Sequence, residues 1–380
     1  AHREAAAGDL EAELGNISAA WAWAAERGQV EQLGAAMYAL QRFYWQSGRF
    51  REGVAAFQAA ATAAKAGAEE AAAAGTDDKA TCLRVWVRAL AWQSSFQRAT
   101  GQRDAARQLQ QQCVALLGDP ALAGSDIRLE RAILSMSVGL TGCMADYAQG
   151  RERFEESFSL FRALDHRWGM AWTLNALGTM SKFLGELQDA RQRFEEALAL
   201  YRALGNPAGI ASSISQLSEI AYLQGQFEEA EGLAREAVAT AREAGSRTEL
   251  AYAFLHLGEV LEKAGKFQEA HSVFLECLAL YNELGHRNYV TEAQSSLGIV
   301  DIHRGRYEEA RDRLQTSLEL ARSQGPPYCV GLNLLLLGCL DLAEGAHTRA
   351  YQSLQDSIAA YQEVGGHQDD LSWALATLAI

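Results

Sequence analysis

Apolar residues recur at spacings of three and four along most of the chain, and glycines separate the recurring stretches. From Leu174 to Gly185 the apolar positions fall on one face of a helix, and from Ala190 to Tyr201 they do so again. Gly185 stands between the two stretches, and Gly205 follows the second. Glycine closes a helix readily because it can adopt the left-handed conformation. The segment therefore predicts a hairpin of two helices.

The hairpin recurs with a fixed period of 40 residues. The first set of glycines, each followed five residues later by an alanine, is Gly185, Gly225, Gly265, Gly305 and Gly345. The second set is Gly205, Gly245, Gly285, Gly325 and Gly365, with Asp165 in the preceding slot. The acidic pairs Glu228–Glu229 and Glu308–Glu309 fall in the first turn of a second helix, where they complement the helix dipole. Because one hairpin cannot bury its apolar stripe alone, the repetition predicts an all-α fold, an α–α superhelix (solenoid) of stacked hairpins with a concave groove.

The same frame extends towards the N-terminus. Residues 147–165 fit it well, and segments around 48–60 and 101–113 fit it more loosely. Between those two segments, an Ala/Gly-rich insertion around 66–79 predicts an extended helix end, a turn, and a new helix starting near Asp77. We expect an N-terminal helix in residues 1–30 (about Leu10 to Arg27), eight hairpins in 31–366, and a final helix in 367–380 that runs off the end.

Composition supports this interpretation. The 380 residues include only four prolines, and helix-favouring residues dominate. A net charge of −14 disfavours direct contact with nucleic acid, and no apolar run approaches the roughly 20 residues that cross a membrane. The six cysteines have no metal-ligand spacing, which favours buried free thiols and a cytoplasmic location. The absence of an initial Met and of a leader suggests a fragment of a longer intracellular protein.

The residues within each hairpin resemble the tetratricopeptide (TPR) signature, in which small and large side chains let two helices nest. The match is carried by Leu177, Gly178, Gly185, Ala190, Phe194 and Ala197, and it recurs at Leu257, Gly258, Gly265, Ala270 and Phe274. A weaker match lies at Leu297, Gly298, Gly305 and Ala310, and the departures are Ser218, Ala234 and His347. HEAT and armadillo repeats have a similar length but lack this pattern.

Long TPR units resemble the arrays of bacterial signal-transducing STAND ATPases, including MalT-like and AfsR-like regulators. The stretch from Leu10 to Ala60 resembles the segment that follows the nucleotide-binding and winged-helix part of such proteins. The residues that carry this likeness are Glu13, Asn16, Ala20, Trp23, Gly28, Trp45, Gly48 and Arg49. The resemblance implies the sensor arm of a larger switch in transcription regulation, with the NTPase domain of its own parent chain as a partner.

Catalytic signatures are missing from the sequence. We find no phosphate-binding loop, no dinucleotide-binding glycine motif, and no zinc-protease or serine-hydrolase motif. The chain is therefore expected to be no enzyme and to hold no cofactor or metal. His166 and His286 stand at equivalent turns, where we expect solvated or capping groups and not a metal site or a proton switch.

In TPR arrays the first helix of each hairpin, helix A, lines the concave groove, so a ligand is expected there. The candidate binding residues, which mix aromatic rings with amides and charges, are Tyr38, Arg42, Trp45, Trp172, Asn175, Lys182, Tyr222, Tyr252 and Glu259. Trp172 and Tyr252 have an alternative role in covering neighbouring hairpins. Gly139 and Gly142 either open space for a ligand or permit close packing.

Residues 331–343 are apolar on every side, beyond what a one-faced helix needs. This helix either floors an apolar pocket or is covered by further hairpins or a partner chain, and we favour the second. Trp373 and Leu375 are expected to be exposed and to promote dimerisation through the C-terminal end.

These patterns lead to one main hypothesis and two alternatives. The main hypothesis is a non-enzymatic sensor module that binds a protein, peptide or small molecule in its groove and thereby switches an ATPase-bearing parent. The first alternative is a constitutive scaffold that only bridges proteins. An enzyme is the third and least favoured class, because no nucleophile–base or metal set converges on one hairpin.

Overall fold

A computed structural model describes residues 14–143, 146–324, 327–364 and 368–378. Within these ranges every regular element is helical: eighteen α-helices and one short 3-10 helix, Pro120–Leu122. The all-α expectation is confirmed. Glu13 and the start predicted near Leu10 lie outside the described residues.

The helices follow one another through short turns. The first nine are α1 (Leu14–Glu26), α2 (Val30–Gln46), α3 (Phe50–Ala74), α4 (Asp78–Ala99), α5 (Arg103–Leu117), α6 (Arg128–Gly142), α7 (Tyr147–Ala163), α8 (Arg167–Phe183) and α9 (Leu187–Ala203). The next nine are α10 (Pro207–Leu223), α11 (Phe227–Ala244), α12 (Arg247–Lys263), α13 (Phe267–Leu284), α14 (Arg287–His303), α15 (Tyr307–Gln324), α16 (Pro327–Ala343), α17 (His347–Val364) and α18 (Gln368–Leu378). The A helices of the regular repeats are α8, α10, α12, α14 and α16.

The turns explain both sets of glycines. All five glycines of the first set have positive φ, and so do Gly205, Gly245 and Gly285 of the second. Asp165, in the slot before Gly205, adopts φ 48° although it is not a glycine. Gly325 and Gly365 lie outside the described residues. The insertion behaves as predicted, because α3 runs on to Ala74, Gly75 closes it with φ 66°, and α4 then begins.

Inside a hairpin, a glycine of helix A faces a large side chain of helix B. A Cβ on Gly178 would lie 2.7 Å from the ring of Phe194, and one on Gly139 would lie 2.8 Å from the ring of Phe154. The two helices can approach closely only because these Cβ atoms are absent. The sequence left open whether Gly139 provides space for a ligand or permits close packing, and the structure shows that it permits close packing. A Cβ on Gly142 would make only ordinary contact, at 3.6 Å from Gln149 Oε1.

The chain divides into two compact units. The first contains the described residues up to Gln226 together with Glu236–Glu249, and the second contains Phe227–Arg235 and the described residues from Leu250 onward. Helices α11 and α12 contribute to both. The domain limits expected from the sequence, 1–30, 31–366 and 367–380, stay a prediction.

In the first unit, the core runs from Trp21 to Met180 and is rich in aromatic rings. Phe57, Phe96, Phe154 and Phe161 are essentially inaccessible to solvent. Phe57 and Phe96 stack with their centroids 5.7 Å apart, which joins α3 to α4. The N-terminal hairpins, although less regular in sequence, thus share one buried aromatic core.

In the second unit, the apolar helix α16 is covered by this chain's own helices. Leu334, Leu336 and Leu337 pack against Leu314 and Leu318 of α15. On its other side Leu335 packs with residues of α17 and α18, among them Leu354 and Ala374. The expectation of a missing cover was wrong, because α15, α17 and α18 together enclose the helix.

Two apolar side chains near the C-terminus are exposed, as the sequence predicted. Trp373 is 45% exposed and Leu375 is 49% exposed. Dimerisation through them stays a prediction.

Candidate functional site

In the first unit, successive A helices are joined by polar contacts between equivalent parts of the repeat. Asn175 Oδ1 of α8 accepts a hydrogen bond from Ser213 Oγ of α10 at 3.0 Å. Two turns further along, Lys182 Nζ donates to Glu219 Oε2 at 2.6 Å. Three predicted site residues, Trp172, Asn175 and Lys182, thus follow one helix, and Tyr222 follows Glu219 by one turn on the next.

The charges on this face are paired. The Lys182 side chain is only 7% exposed and that of Glu219 is 20% exposed, so the ion pair is largely shielded from water. A buried charge that lost its partner would be costly, so the pair holds α8 and α10 in register. Lys182 also lies over the ring of Phe183, 4.9 Å from its centroid.

Trp172 has a packing role beside any binding role. Its ring is half-buried and meets Phe154 edge-on, with centroids 6.0 Å apart. Phe154 belongs to α7 of the preceding hairpin. The alternative that Trp172 covers a neighbouring hairpin therefore describes part of what this residue does.

The predicted residues of α2 contact the starts of later A helices. Tyr38 meets Trp168 edge-on at 4.8 Å, and Arg42 Nη2 donates to Asn206 Oδ1 at 3.0 Å. One turn further along α2, the carbonyl of Gln46 accepts a hydrogen bond from the Thr248 hydroxyl at 3.5 Å. Positions 38, 42 and 46 lie on one face of α2, which therefore runs past the first residues of α8, α10 and α12. The sequence could not show this contact, because it joins residues about 130 to 200 positions apart.

Trp45 instead belongs to the aromatic core. Its ring lies 5.3 Å from that of Phe50 and 5.8 Å from that of Phe96, measured between centroids. Of the three α2 residues predicted to line the groove, Tyr38 and Arg42 therefore share one face, whereas Trp45 packs against the core.

In the second unit, Tyr252 and Glu259 of α12 converge on a histidine that the sequence did not single out. The rings of Tyr252 and His256 meet edge-on at 4.4 Å, and His256 Nδ1 lies 3.1 Å from Glu259 Oε2. Tyr289 of α14 adds a third ring, 6.4 Å from Tyr252. The spacing 252, 256, 259 is that of one helix face and could have identified His256.

Two histidines at the turns behave differently. His166 Nδ1 accepts a hydrogen bond from the Gly169 amide at 3.1 Å, so the predicted capping role is confirmed there. His286 is half-buried, and burial lowers its pKa to about 4, which keeps the ring neutral at physiological pH.

One carboxyl group of the first unit is unusual. Burial raises the pKa of Glu249 to about 7, and a hydrogen bond from Ser212 opposes that rise in part. Glu249 therefore changes charge near neutral pH.

Neither a metal-binding cluster nor a membrane-spanning helix is present within the described ranges. No three His, Cys, Asp or Glu side chains there are placed to hold a metal ion. None of the helices in the same ranges has the length and apolarity that a membrane crossing requires.

Comparison with known proteins identifies the family. The tetratricopeptide repeat model matches residues 140–203, 209–283 and 289–363. These segments make up more than half of the chain, which therefore belongs to the tetratricopeptide repeat family. No curated protein matches the chain.

Solved structures share this fold at low sequence identity. A Rap protein complexed with competence and sporulation factor has a TM-score of 0.65 at 13% identity, over 92% of this chain and 97% of that one. The Rap conjugation gene regulator of plasmid pLS20, in complex with a Phr peptide, has a TM-score of 0.60 at 14% identity, over 77% of each chain. Aspartyl phosphate phosphatase F from Bacillus subtilis has a TM-score of 0.56 at 16% identity, over 73% of this chain and 72% of that one. At these identities the likeness shows the fold.

Proposed function

We propose that this chain is a non-enzymatic module that binds a peptide or a peptide segment of a protein along its A helices. The observation that carries the proposal is the run of half-buried rings and polar groups on α8 and α10: Trp172 and Asn175, followed by Lys182 paired with Glu219. An extended peptide offers both apolar side chains and unpaired backbone groups. Aromatic rings can pack against the apolar side chains, and an amide held in place can form hydrogen bonds with the backbone groups.

The fixed conformations of these side chains support the proposal. The Asn175 amide is fixed by Ser213 through its oxygen, which leaves its NH₂ group directed elsewhere as a donor. The Lys182–Glu219 pair holds the two helices together, so the face needs little rearrangement on binding. Pre-organisation of this kind raises affinity because less side-chain entropy is lost.

Five other predicted residues enter the proposal in three groups. Tyr252 and Glu259 carry the corresponding face of the second unit, with His256 between them. Tyr38 and Arg42 are engaged with Trp168 and Asn206, so a ligand that reaches them competes with those contacts. Trp45 contributes by fixing α2 on the aromatic core.

Peptide ligands are favoured over other classes by the structural neighbours. One Rap protein with this fold was solved in complex with a Phr peptide, and another was solved in complex with competence and sporulation factor. These neighbours are too distant in sequence to transfer a site residue by residue, so the proposal rests on the chemistry of the A-helix face.

We further propose that binding regulates a larger parent protein of the STAND ATPase type, located in the cytoplasm, where the six free cysteines are stable. The basis is the resemblance of residues 10–60 to the segment that follows the ATPase region of such regulators. A constitutive scaffold that bridges proteins is the alternative. The intact gene discriminates between them, since a phosphate-binding loop upstream supports the sensor and its absence supports the scaffold.

Thermal-shift measurements test the binding proposal. We expect a peptide library to contain ligands that raise the melting temperature, whereas sugars and nucleotides do not. Trp172→Ala and Tyr252→Ala should each reduce the shift at a fixed ligand concentration, because each removes a ring from the A-helix face of its own unit. Trp23→Ala, which removes an exposed ring from α1, is the matched control.

The ligand-induced shift, and not the starting melting temperature, is the quantity to compare, because Trp172 also packs on Phe154. A shift that survives both substitutions undiminished would contradict the placement of the site. A response to sugars or nucleotides alone would contradict the ligand class.

A further inference from the structure

Helix α2 lies across the starts of three A helices in the first unit. The ring centroid of Tyr38 is 6.0 Å from that of His166, which caps α8. One turn later Arg42 donates to Asn206, which caps α10, and the last carbonyl of α2 accepts the hydrogen bond from Thr248 in the first turn of α12. Three positions of α2, spaced by four, thus follow the 40-residue period of the array. We call this set of contacts the latch.

The two sides of the latch are held in place by other contacts. Helix α2 packs against α1, α3 and α4, and its residues Leu33, Met37 and Leu40 are buried in the aromatic-rich core. Helix α8 is held against α9 by the ring of Phe194 over Gly178. The latch, in contrast, consists of single side chains and one carbonyl that join residues about 130 to 200 positions apart. It can therefore open while the hairpins on either side stay folded.

Arg42 brings a charge into the latch that no acid of the described residues balances. Its side chain is half-buried, and its guanidinium donates to the amide oxygen of Asn206 without forming an ion pair. The same oxygen also accepts the Gly209 amide as the cap of α10, at the long distance of 3.4 Å. When the latch opens, water solvates the guanidinium and the oxygen serves the cap alone. The loss of this contact is therefore partly offset.

The closed latch is incompletely satisfied at both of its ends. At the α12 end, Ser246 is only 4% exposed, yet its hydroxyl has no hydrogen-bond partner among the described residues, and the Thr248 bond is long at 3.5 Å. At the α8 end, a cavity of about 50 Å³ remains beside Tyr38 and Trp168. An unsatisfied buried hydroxyl and an unfilled cavity both cost free energy. The closed form is therefore only weakly favoured by these contacts.

We propose that α2 is a reversible latch, closed in this structure, that opens away from the first turns of α8, α10 and α12. In the closed form Tyr38 covers Trp168, which lies one turn before Trp172 on α8. Opening therefore uncovers the start of the A-helix face. That this exposure admits a ligand rests on the proposed function, whereas the opening itself does not. Because few contacts hold the latch, the loss of one shifts the ratio of the two forms.

A distance measurement in the whole chain tests the opening. Spin labels are attached through a keto amino acid at Ala39 of α2 and Glu243 of α11, two exposed positions, so that the six cysteines stay unchanged. Pulsed electron resonance should show a short distance and a minor longer one. Arg42→Met should raise the ratio of long to short about tenfold, since it removes a hydrogen bond made by a charged group. Arg51→Met, which changes an exposed arginine of α3, should leave the ratio within about twofold.

A second substitution should close the latch instead of opening it. Asn206→Asp keeps a good helix cap and places a carboxylate opposite Arg42, so the ratio of long to short should fall about tenfold. The fall is measured in the Thr248→Val chain, in which the open form is enriched because the bond to the α2 carbonyl is lost. After Arg42→Met the same Asn206→Asp change should alter the ratio by less than about twofold.

Hydroxyl-radical footprinting tests what the latch covers. The oxidation rate of Trp168, read by mass spectrometry, should rise at least about twofold with Arg42→Met and fall with Asn206→Asp. Trp23 of α1, which is 50% exposed and lies outside the latch, is the internal reference and should keep its rate.

Three results would overturn the proposal. The first is one distance that stays the same in all variants, which would show a static contact. The second is an equal response to Arg42→Met and Arg51→Met. The third is an effect of Asn206→Asp that persists after Arg42→Met. Neither readout uses a peptide, whereas the thermal-shift test does, so the latch and the peptide-binding proposal can fail separately.

Discussion

Two junctions between hairpins in the first unit use the same repeat positions in opposite ways. At the junction before α10, the fully buried ring of Tyr201 lies over Gly209, whose missing Cβ leaves space for it. One repeat later, before α12, the equivalent positions hold Ala241 and Glu249. The first junction has a ring packed over a glycine, whereas at the second the same positions hold a small side chain and a long acidic one.

The comparison shows that the same two repeat positions hold side chains of very different chemistry. A ring over a glycine is insensitive to pH. A carboxyl group in the corresponding place has its pKa raised to about 7 by burial and becomes sensitive to pH. Ionisation of the Glu249 carboxyl group therefore lowers the stability of the second junction relative to its neutral form.

The largest effect is expected from adding a methyl group at the ring junction. Gly209→Ala places a Cβ inside the contact distance of the Tyr201 ring, and overpacking of this kind costs about 1–3 kcal/mol of the free energy of unfolding. Urea unfolding measures it. Gly232→Ala is the control, because its methyl group would enter open space with no neighbouring group within 4 Å and alanine favours helix, so it should stabilise the chain by up to about 1 kcal/mol. Equal effects of the two substitutions would show that the junction is not tightly packed.

A smaller, pH-dependent effect is expected at the acid junction. The folded-state pKa of Glu249, about 7, lies above the value of an unfolded glutamate, about 4.3. Between these values the folded chain binds a proton that the unfolded chain has lost, so stability falls as the pH rises from about 4.5 to 7 and stays lower above it. Glu249→Gln should remove this fall and, at about pH 8, raise the free energy of unfolding by about 1–2 kcal/mol.

Thermal unfolding between pH 5 and pH 8 checks this prediction. Glu243→Gln, which changes an exposed glutamate of α11, serves as control and should leave the pH profile of the wild type unchanged. A profile that is the same in all three chains would mean that Glu249 is solvated.

The smallest effect is expected in the turns that lead into the junctions. Asp165 holds the left-handed φ of 48° where the next repeat has Gly205 with φ 59°. A non-glycine residue in this conformation costs about 1 kcal/mol, and less for Asp. Asp165→Gly should therefore stabilise the chain by about 0.5 kcal/mol, and Gly205→Asp should destabilise it by a similar amount. Calorimetric melting temperatures of the two variants should shift in opposite directions.

Much of the fold was predictable because it depends on local signals that recur. The 40-residue period located the turns at Gly185 and Gly225, and the helices between them followed from the spacing of apolar residues. The insertion was predictable for the same reason, since Gly75 and Asp78 are local signals. The cover of α16 was misjudged because it depends on how α15, α17 and α18 pack against this helix, which the repeat period does not specify.

The candidate binding face was predictable only in part. The sequence placed Trp172, Asn175 and Lys182 on one helix, since that requires only the helical period. It could not show that Lys182 is paired with Glu219, or that Arg42 contacts Asn206. Both contacts depend on how far each helix is rotated and shifted against the next, which the period does not specify.

The sequence by itself determined the all-helical repeat, the places where its helices end, and the family, because each follows from short-range preferences that are repeated along the chain. The tertiary structure alone decided which charges meet, as with buried Glu130 between Arg84 and Arg88, and which carboxyl group has a raised pKa, as with Glu249. These properties arise from burial and from distances between residues far apart in sequence. Only packing of the whole unit fixes such distances, because the free energy of a buried charge depends on every group around it.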